Sequence, residues 1–226
     1  MMATALVQIG LVAAWLALVG GVAEGLRRTA AIDTEITRKI VHIGAGHVIL
    51  LAWWLHTPAW MGIAAAGAAS ALALLSYRLP ILPGINGVGR NSLGTFFYAV
   101  SIGVLTAIFW PLGLPQYAAL GILVMTWGDG LAAVVGQRFG RHPYKIFGNQ
   151  KSWEGSLAMA MASLVVSLVV LGLTTGFTPA VVGTAVVVAI AATLLETLSF
   201  YGLDNLTVPL GSAVLAYGLM GWLGQI

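Results

Sequence analysis

The chain contains no cysteine. Disulfides, thiolate metal sites and a cysteine nucleophile are therefore excluded. Charge is almost as scarce. Only 8% of the residues are Asp, Glu, Lys or Arg, where a soluble globular domain carries about 25%. A soluble fold of 226 residues cannot cover its surface with so few charges. Hydrophobic residues make up 59% of the chain, and the mean hydropathy is +0.96. These values exclude a disordered chain, a fibrous repeat and a nucleic-acid binder. They specify an all-α integral membrane protein. The net charge of +3 reads as a topology signal, not as a nucleic-acid patch. The length suits one membrane domain, residues 1–226, with no soluble appendage.

A spanning helix needs about 20 mostly apolar residues. Such stretches lie near 4–23, 41–56, 59–77, 92–110, 115–136, 156–174, 179–198 and 206–224. The sequence thus predicts a polytopic bundle of seven or eight transmembrane helices and no strands. The second stretch is short, so it is tilted, broken or shielded. A seven-span count competes, because only His56-Thr57-Pro58 separates the second and third stretches. The proline and the flanking Trp53, Trp54 and Trp60 favour an interfacial turn there.

All ten Lys and Arg fall in alternate loops. Arg27, Arg28, Arg38 and Lys39 lie in the first, Arg78 and Arg90 in the third, and Arg138, Arg141, Lys145 and Lys151 in the fifth. The positive-inside rule puts these loops in the cytoplasm and both termini outside. The N-terminal run lacks a basic leader and is long enough to span, which is unlike a cleaved signal. The acids follow the same division: Glu24, Asp33, Glu35, Asp129, Glu154, Glu196 and Asp204 all sit near that face. Ion transport usually needs ionisable groups near the midplane. Charges gathered at one face suit chemistry with a water-soluble reagent.

The richest stretch runs from Gly128 to Ser156. Asp129, Gly136 and Gly140 are spaced i, i+7 and i+11, one narrow helical stripe flanked by Ala132 and Ala133. A stripe without side chains lets a bulky ligand or another backbone approach. Four loop cations follow. Lys151, Ser152 and Glu154 then sit at the expected start of a helix, where free N–H groups and the positive dipole end favour phosphate. A carboxylate for a divalent metal, cations and a helix start together fit a nucleoside triphosphate site. Gly136-x-x-x-Gly140 alone also fits plain helix packing. Gly148-Asn149-Gln150-Lys151-Ser152 is not a Walker A loop, since Gln150 stands where glycine must precede the lysine.

These residues resemble the polyprenol kinase family, which includes dolichol kinase, CTP-dependent diacylglycerol kinase and phytol kinase. The shared signature is Asp129, Ala132, Gly136 and Gly140, then Lys151-Ser152-Trp153-Glu154-Gly155. The familiar form has two lysines before Ser/Thr. Gln150 replaces the first, and Lys145 is the cation available to compensate. Further similar blocks are Arg38-Lys39-Ile40-Val41-His42, Ser76-Tyr77-Arg78-Leu79-Pro80, Gly94-Thr95-Phe96-Phe97-Tyr98, and Glu196 with Asp204-Asn205-Leu206-Thr207-Val208-Pro209. The resemblance covers about residues 36–215 and is nearest to cyanobacterial and plastid phytol kinases. It implies Mg²⁺-dependent transfer of a phosphoryl group from CTP, with UTP as the alternative donor, to a long-chain prenyl alcohol. Phytol is favoured over farnesol and geranylgeraniol. It also implies a place in phytol salvage and tocopherol synthesis, in a plasma or thylakoid membrane if the host is cyanobacterial.

Within that frame Asp129, Glu196, Asp204 and Asn205 are the metal candidates. Arg38, Lys39, Arg90, Lys145, Lys151, Ser152, Glu154 and Gly155 join Ala132, Gly136 and Gly140 as nucleotide contacts. Asp129, Lys151, Glu154, Asp204 and His42 are the catalytic set. His42 serves as phosphate contact or proton acceptor, or only as a helix-bridging hydrogen bonder. Asp204 is equally well explained as a helix N-cap. A cytidylyltransferase acting on a lipid phosphate uses the same reagents and stays open. A lipid transporter is the competing class. The oligomeric state is not legible.

Overall fold

The computed structural model describes residues 2–29, 34–77, 79 and 93–225. The helices are α1 (Met2–Thr29), α2 (Thr34–Gly46), α3 (Val48–Trp54), α4 (Ala59–Ser76), α5 (Gly94–Phe109), α6 (Pro115–Phe139), α7 (Trp153–Thr175), α8 (Pro179–Thr197) and α9 (Asp204–Trp222). Five of them are long and apolar enough to cross a membrane: α1, α4, α6, α7 and α8. The chain is a polytopic all-α membrane protein. Arg78 and Arg90, in the third loop, lie outside the described residues.

α6 is the axis of the bundle. Residues 117–126 are buried on every side, as expected of a helix that is apolar all round. It packs against α7, α9, α5 and α2. Its N-terminal end closes on an aromatic cluster, with Tyr117 5.7 Å from Phe109 and 5.4 Å from Tyr217 between ring centres. Asp129 stands twelve residues further on, about 18 Å along the axis. The outer helices turn Leu157, Val165, Leu173 and Ile190 outward, a surface that suits lipid.

The expected span near 41–56 is broken. α2 begins at Thr34, its charged first turn already helical, and ends at Gly46; α3 follows His47. Gly46 approaches Thr126 and the Tyr98 hydroxyl so closely that a Cβ there would collide with both. The break leaves carbonyls to be satisfied. Trp15 Nε1 of α1 donates to Gly44 O at 2.8 Å, and Gln8 Nε2 donates to Leu55 O at 2.8 Å. α1 thereby braces the broken helix.

One expectation is overturned. Strands β1 (Pro143–Ile146) and β2 (Asn149–Ser152) form an antiparallel hairpin where the sequence predicts none. The turn is Phe147-Gly148, both with positive φ (48° and 79°). That is the two-residue geometry that matches strand twist. The hairpin sits at the charged end and feeds directly into α7.

Candidate active site

Two lysine–carboxylate pairs define the site. Lys39 Nζ donates to Asp129 Oδ2 at 2.5 Å, joining α2 to α6. Lys151 Nζ lies 2.6 Å from Glu196 Oε1 and also donates to the Glu196 carbonyl, joining β2 to the end of α8. All four side chains are largely shielded, at 7% and 14% exposure in the first pair and 17% and 11% in the second. Isolated charges in such surroundings are costly, and pairing offsets much of that cost.

His42 lies one turn after Lys39 on α2, on the same helix face. Its Nε2 is 3.6 Å from Asp129 Oδ2 and 3.1 Å from Met125 Sδ. Tyr98 backs it: the ring centres are 4.6 Å apart, and the Tyr98 hydroxyl donates to the His42 carbonyl at 3.1 Å. Arg38 is paired with Glu35 at 2.5 Å. Burial works against the Glu35 carboxylate, but the Arg38 hydrogen bond and charge outweigh it and hold its pKa below the ordinary value.

Asp204 opens α9 and completes the group. Its backbone N–H donates to Ser199 Oγ at 2.5 Å, and its Oδ1 accepts from Asn205 Nδ2 at 3.3 Å. It is not an N-cap for its own helix, since Leu203 holds that position. Asp204 is within electrostatic reach of Asp129, Lys39 and Lys151, and Glu196 is within reach of Asp129 and Asp204. Arg38 also feels Asp129 and Asp204. Five elements, α2, α6, β2, α8 and α9, thus bring Arg38, Lys39, His42, Asp129, Lys151, Glu196 and Asp204 into one cluster.

Other candidates are not brought into it. Glu154 is held by His142, with Nδ1 2.6 Å from Oε1 and the backbone N–H donating at 3.4 Å. Its carboxylate fastens the hairpin base to α7. Lys145 is exposed on β1 opposite Gln150, without an ion pair to any described residue. Lys151 and Ser152 end β2, and Ser152 is at once the N-cap of α7, at the expected helix start. Ser152 Oγ caps α7 by accepting from Gly155 N at 3.1 Å.

The small-residue stripe is filled by protein. A Cβ on Gly136 would lie 3.1 Å from Ser152 Oγ, and one on Gly155 would lie 2.9 Å from Ala132 O. A Cβ on Gly140 would lie 2.9 Å from Ser152 Cβ. Of the two occupants the stripe permits, ligand or backbone, the structure supplies the backbone of β2 and α7. Ala132, Gly136, Gly140, Ser152 and Gly155 therefore set where Lys151 stands.

With this geometry in view, the relatives decide the family. Over 219 residues the chain is 57% identical to a phytol kinase of Synechocystis sp., covering 96% of this chain and 94% of that one. The chain belongs to the phytol kinase family. It is 28% identical to phytol kinase 1, chloroplastic, of Arabidopsis thaliana, over 88% of this chain and 71% of that one. It is 29% identical to a farnesol kinase, chloroplastic, of the same plant, over 82% and 66%. No family model matches, and no solved structure matches.

Membership of the phytol kinase family makes the chain a phosphotransferase with an alcohol acceptor. The cluster suits that class, because phosphoryl transfer needs positioned cations and carboxylates more than covalent chemistry. Among the described residues, no three His, Asp or Glu side chains converge as a metal cage. The donor set fits instead an ion held by one or two carboxylates and shared with substrate phosphates, the usual mode of Mg²⁺. Sequence reasoning missed Tyr98, Met125 and Glu35 as partners of His42 and Arg38. Tyr98 stood inside a quoted block, but nothing local linked it to a residue 56 positions earlier.

Proposed function

We propose that this phytol kinase family member transfers the γ-phosphoryl group of CTP to a prenyl alcohol dissolved in the bilayer. Phytol is the favoured acceptor, with farnesol and geranylgeraniol as the others to test. Kinship with a phytol kinase and a farnesol kinase supports the acceptor. CTP rests on the signature that ends at Gly155, and UTP is the alternative. The cytoplasmic face rests on the one-sided lysines and arginines. The product would enter phytol salvage and tocopherol synthesis, in a plasma or thylakoid membrane if the host is cyanobacterial.

The observation that carries this reading is the gathering of Lys39–Asp129 and Lys151–Glu196 around Asp204 at one end of the bundle. In the reaction the prenol oxygen forms a bond to the γ-phosphorus while the bond to the β,γ-bridging oxygen breaks, and CDP leaves. Lys39, Lys151 and Arg38 offset charge that grows on the phosphoryl oxygens. Asp129 and Asp204, with Glu196 and Asn205 beside them, would hold Mg²⁺, which would supply neutralisation of phosphate charge. His42 is the candidate to receive the hydroxyl proton. Lys39 releases Asp129 when phosphate arrives, so one lysine serves the resting and the loaded site. The test is purified protein in lipid with phytol, Mg²⁺ and γ-labelled CTP. Labelled phytyl phosphate supports the reading. Pyrophosphate release with a lipid phosphate and no labelled prenyl phosphate would make the chain a cytidylyltransferase. Substrate movement without nucleotide turnover would make it a transporter.

A further inference from the structure

The hairpin tip and the α8–α9 connection border an open cleft outside the charged cluster. It measures about 380 Å³ and is lined by Phe147, Gly148, Asn149, Phe200 and Tyr201. Its rings are unusually open for aromatics, with Phe147 71% and Tyr201 69% exposed. Phe147 and Phe200 meet edge to face at 6.2 Å, leaving ring surface toward the cleft. Both walls are built from strained backbone. Phe147 and Tyr201 are non-glycine residues with φ of 48° and 54°, each followed by a glycine also at positive φ. Such conformations cost energy and recur at ligand sites.

Asn149 supplies the polar group. Its Nδ2 donates to Ser199 O at 3.4 Å, which fixes the amide. Its Oδ1 accepts from no described residue. Lys151 is two residues further along β2, about 7 Å away at strand spacing. The cleft therefore lies beside the cationic cluster.

We infer that this cleft is the nucleobase subsite of the kinase, with Phe147, Phe200 and Tyr201 as the stacking surface and Asn149 Oδ1 accepting from an exocyclic amino group. The inference rests on the nucleotide-kinase reading above. Aromatic faces bind any base, because every base has a π-face. The acceptor adds selection: cytosine and adenine carry an exocyclic amine, and uracil does not. With CTP as donor, Asn149 explains a preference over UTP.

The experiment uses the full chain in lipid nanodiscs. Phe147→Ala and Phe200→Ala should each raise KM for CTP roughly tenfold, with the inhibition constant of inorganic tripolyphosphate unchanged. Asn149→Ala should erase the preference for CTP over UTP, and Asn149→Asp should keep it, since a carboxylate still accepts. An unchanged KM in both Phe variants overturns the subsite and leaves an interfacial membrane anchor. Equal loss of CTP and tripolyphosphate binding also overturns it, because the residues would then shape the phosphate site. Should an alanine variant fail to fold, equilibrium binding of labelled CTP, UTP and ATP to the unaltered chain decides the matter. CTP and ATP binding more tightly than UTP supports the subsite, and equal binding of all three overturns it. Absence of labelled lipid from the unaltered chain would instead sink the kinase reading, while the binding comparison still judges the cleft.

Discussion

Lys39 Nζ and Asp129 Oδ2 lie 2.5 Å apart across 90 positions of sequence, one on the short amphipathic helix and one on the central helix of the bundle. Each depends on the other to be charged in a shielded place. Removing one partner leaves an unpaired buried charge, at a cost of about 3–5 kcal/mol. Lys39→Met should therefore lower the thermal midpoint in detergent sharply. Lys39→Met with Asp129→Asn should recover most of that loss. Neither should recover phosphotransfer, since both groups act on the nucleotide in the proposed reaction. A double variant as unstable as the single one would show that the pair does not carry the stability.

Lys151 is held twice by Glu196, through the carboxylate and through the main-chain carbonyl. Glu196→Gln removes the charge from the first hold and leaves the second. It should lower kcat by roughly tenfold or less, while Lys151→Ala removes the cation proposed to act in the transition state and should cost about 10²–10³-fold. Steady-state kinetics of the two variants measure the difference. Equal losses would mean that Glu196 itself contacts the reacting groups.

The glycines of α6 and α7 separate packing from binding. Gly155→Ala puts a methyl 2.9 Å from the Ala132 carbonyl, and Gly128→Ala drives one into Met159. Each should destabilise by about 1–3 kcal/mol. Gly183→Ala on α8 meets nothing within 4 Å and should be close to neutral. Thermal unfolding of the three variants checks the ranking. A stable Gly155→Ala with a raised KM for CTP would return the stripe to the ligand.

Seven of the eight expected spans coincide with helices, their ends within a few residues. Long apolar runs leave few alternatives in a bilayer. What escaped was non-local or local in an uncommon way. The hairpin turns on Phe147-Gly148, where the usual signal is Asn-Gly or Asp-Gly. A broken second span was among the expectations; its position at His47, beside the close approach of Gly46 to Thr126, is what no periodicity records. Asp129, Lys151 and Asp204 were legible as candidates because charge is so rare in this chain, and the fold gathers them at one end of the bundle. Their partners were not, since the sequence does not say that Lys39 meets Asp129 or that Glu154 is taken by His142.

Glu154 provides a sharp contrast with Asp129. Its partner His142 is 75% exposed, and the pair works at the surface, where such bridges contribute little. Glu154→Gln should keep most of the phosphotransfer rate, while Asp129→Asn should lose roughly 10²-fold or more. Parallel assays at saturating CTP make the comparison. A Glu154→Gln variant as inactive as Asp129→Asn would put the carboxylate in the reaction and require the hairpin to rearrange when nucleotide binds.

Sidedness can be tested at the two ends of α6. Its 25 residues span about 38 Å at helical rise, more than the roughly 30 Å hydrocarbon core. Leu112, in the turn before it, and Arg141, just after it, must then face opposite sides of the membrane. Both are exposed. The chain has no cysteine, so Leu112→Cys and Arg141→Cys each create a single reactive thiol. A membrane-impermeant maleimide should label Leu112→Cys in intact cells and Arg141→Cys only in inverted vesicles. The opposite pattern would put Lys39, Asp129 and Lys151 away from the cytoplasmic nucleotide pool, and CTP could not be the donor. Labelling of both from one side would mean that α6 does not cross, and the single-axis bundle would have to be redrawn.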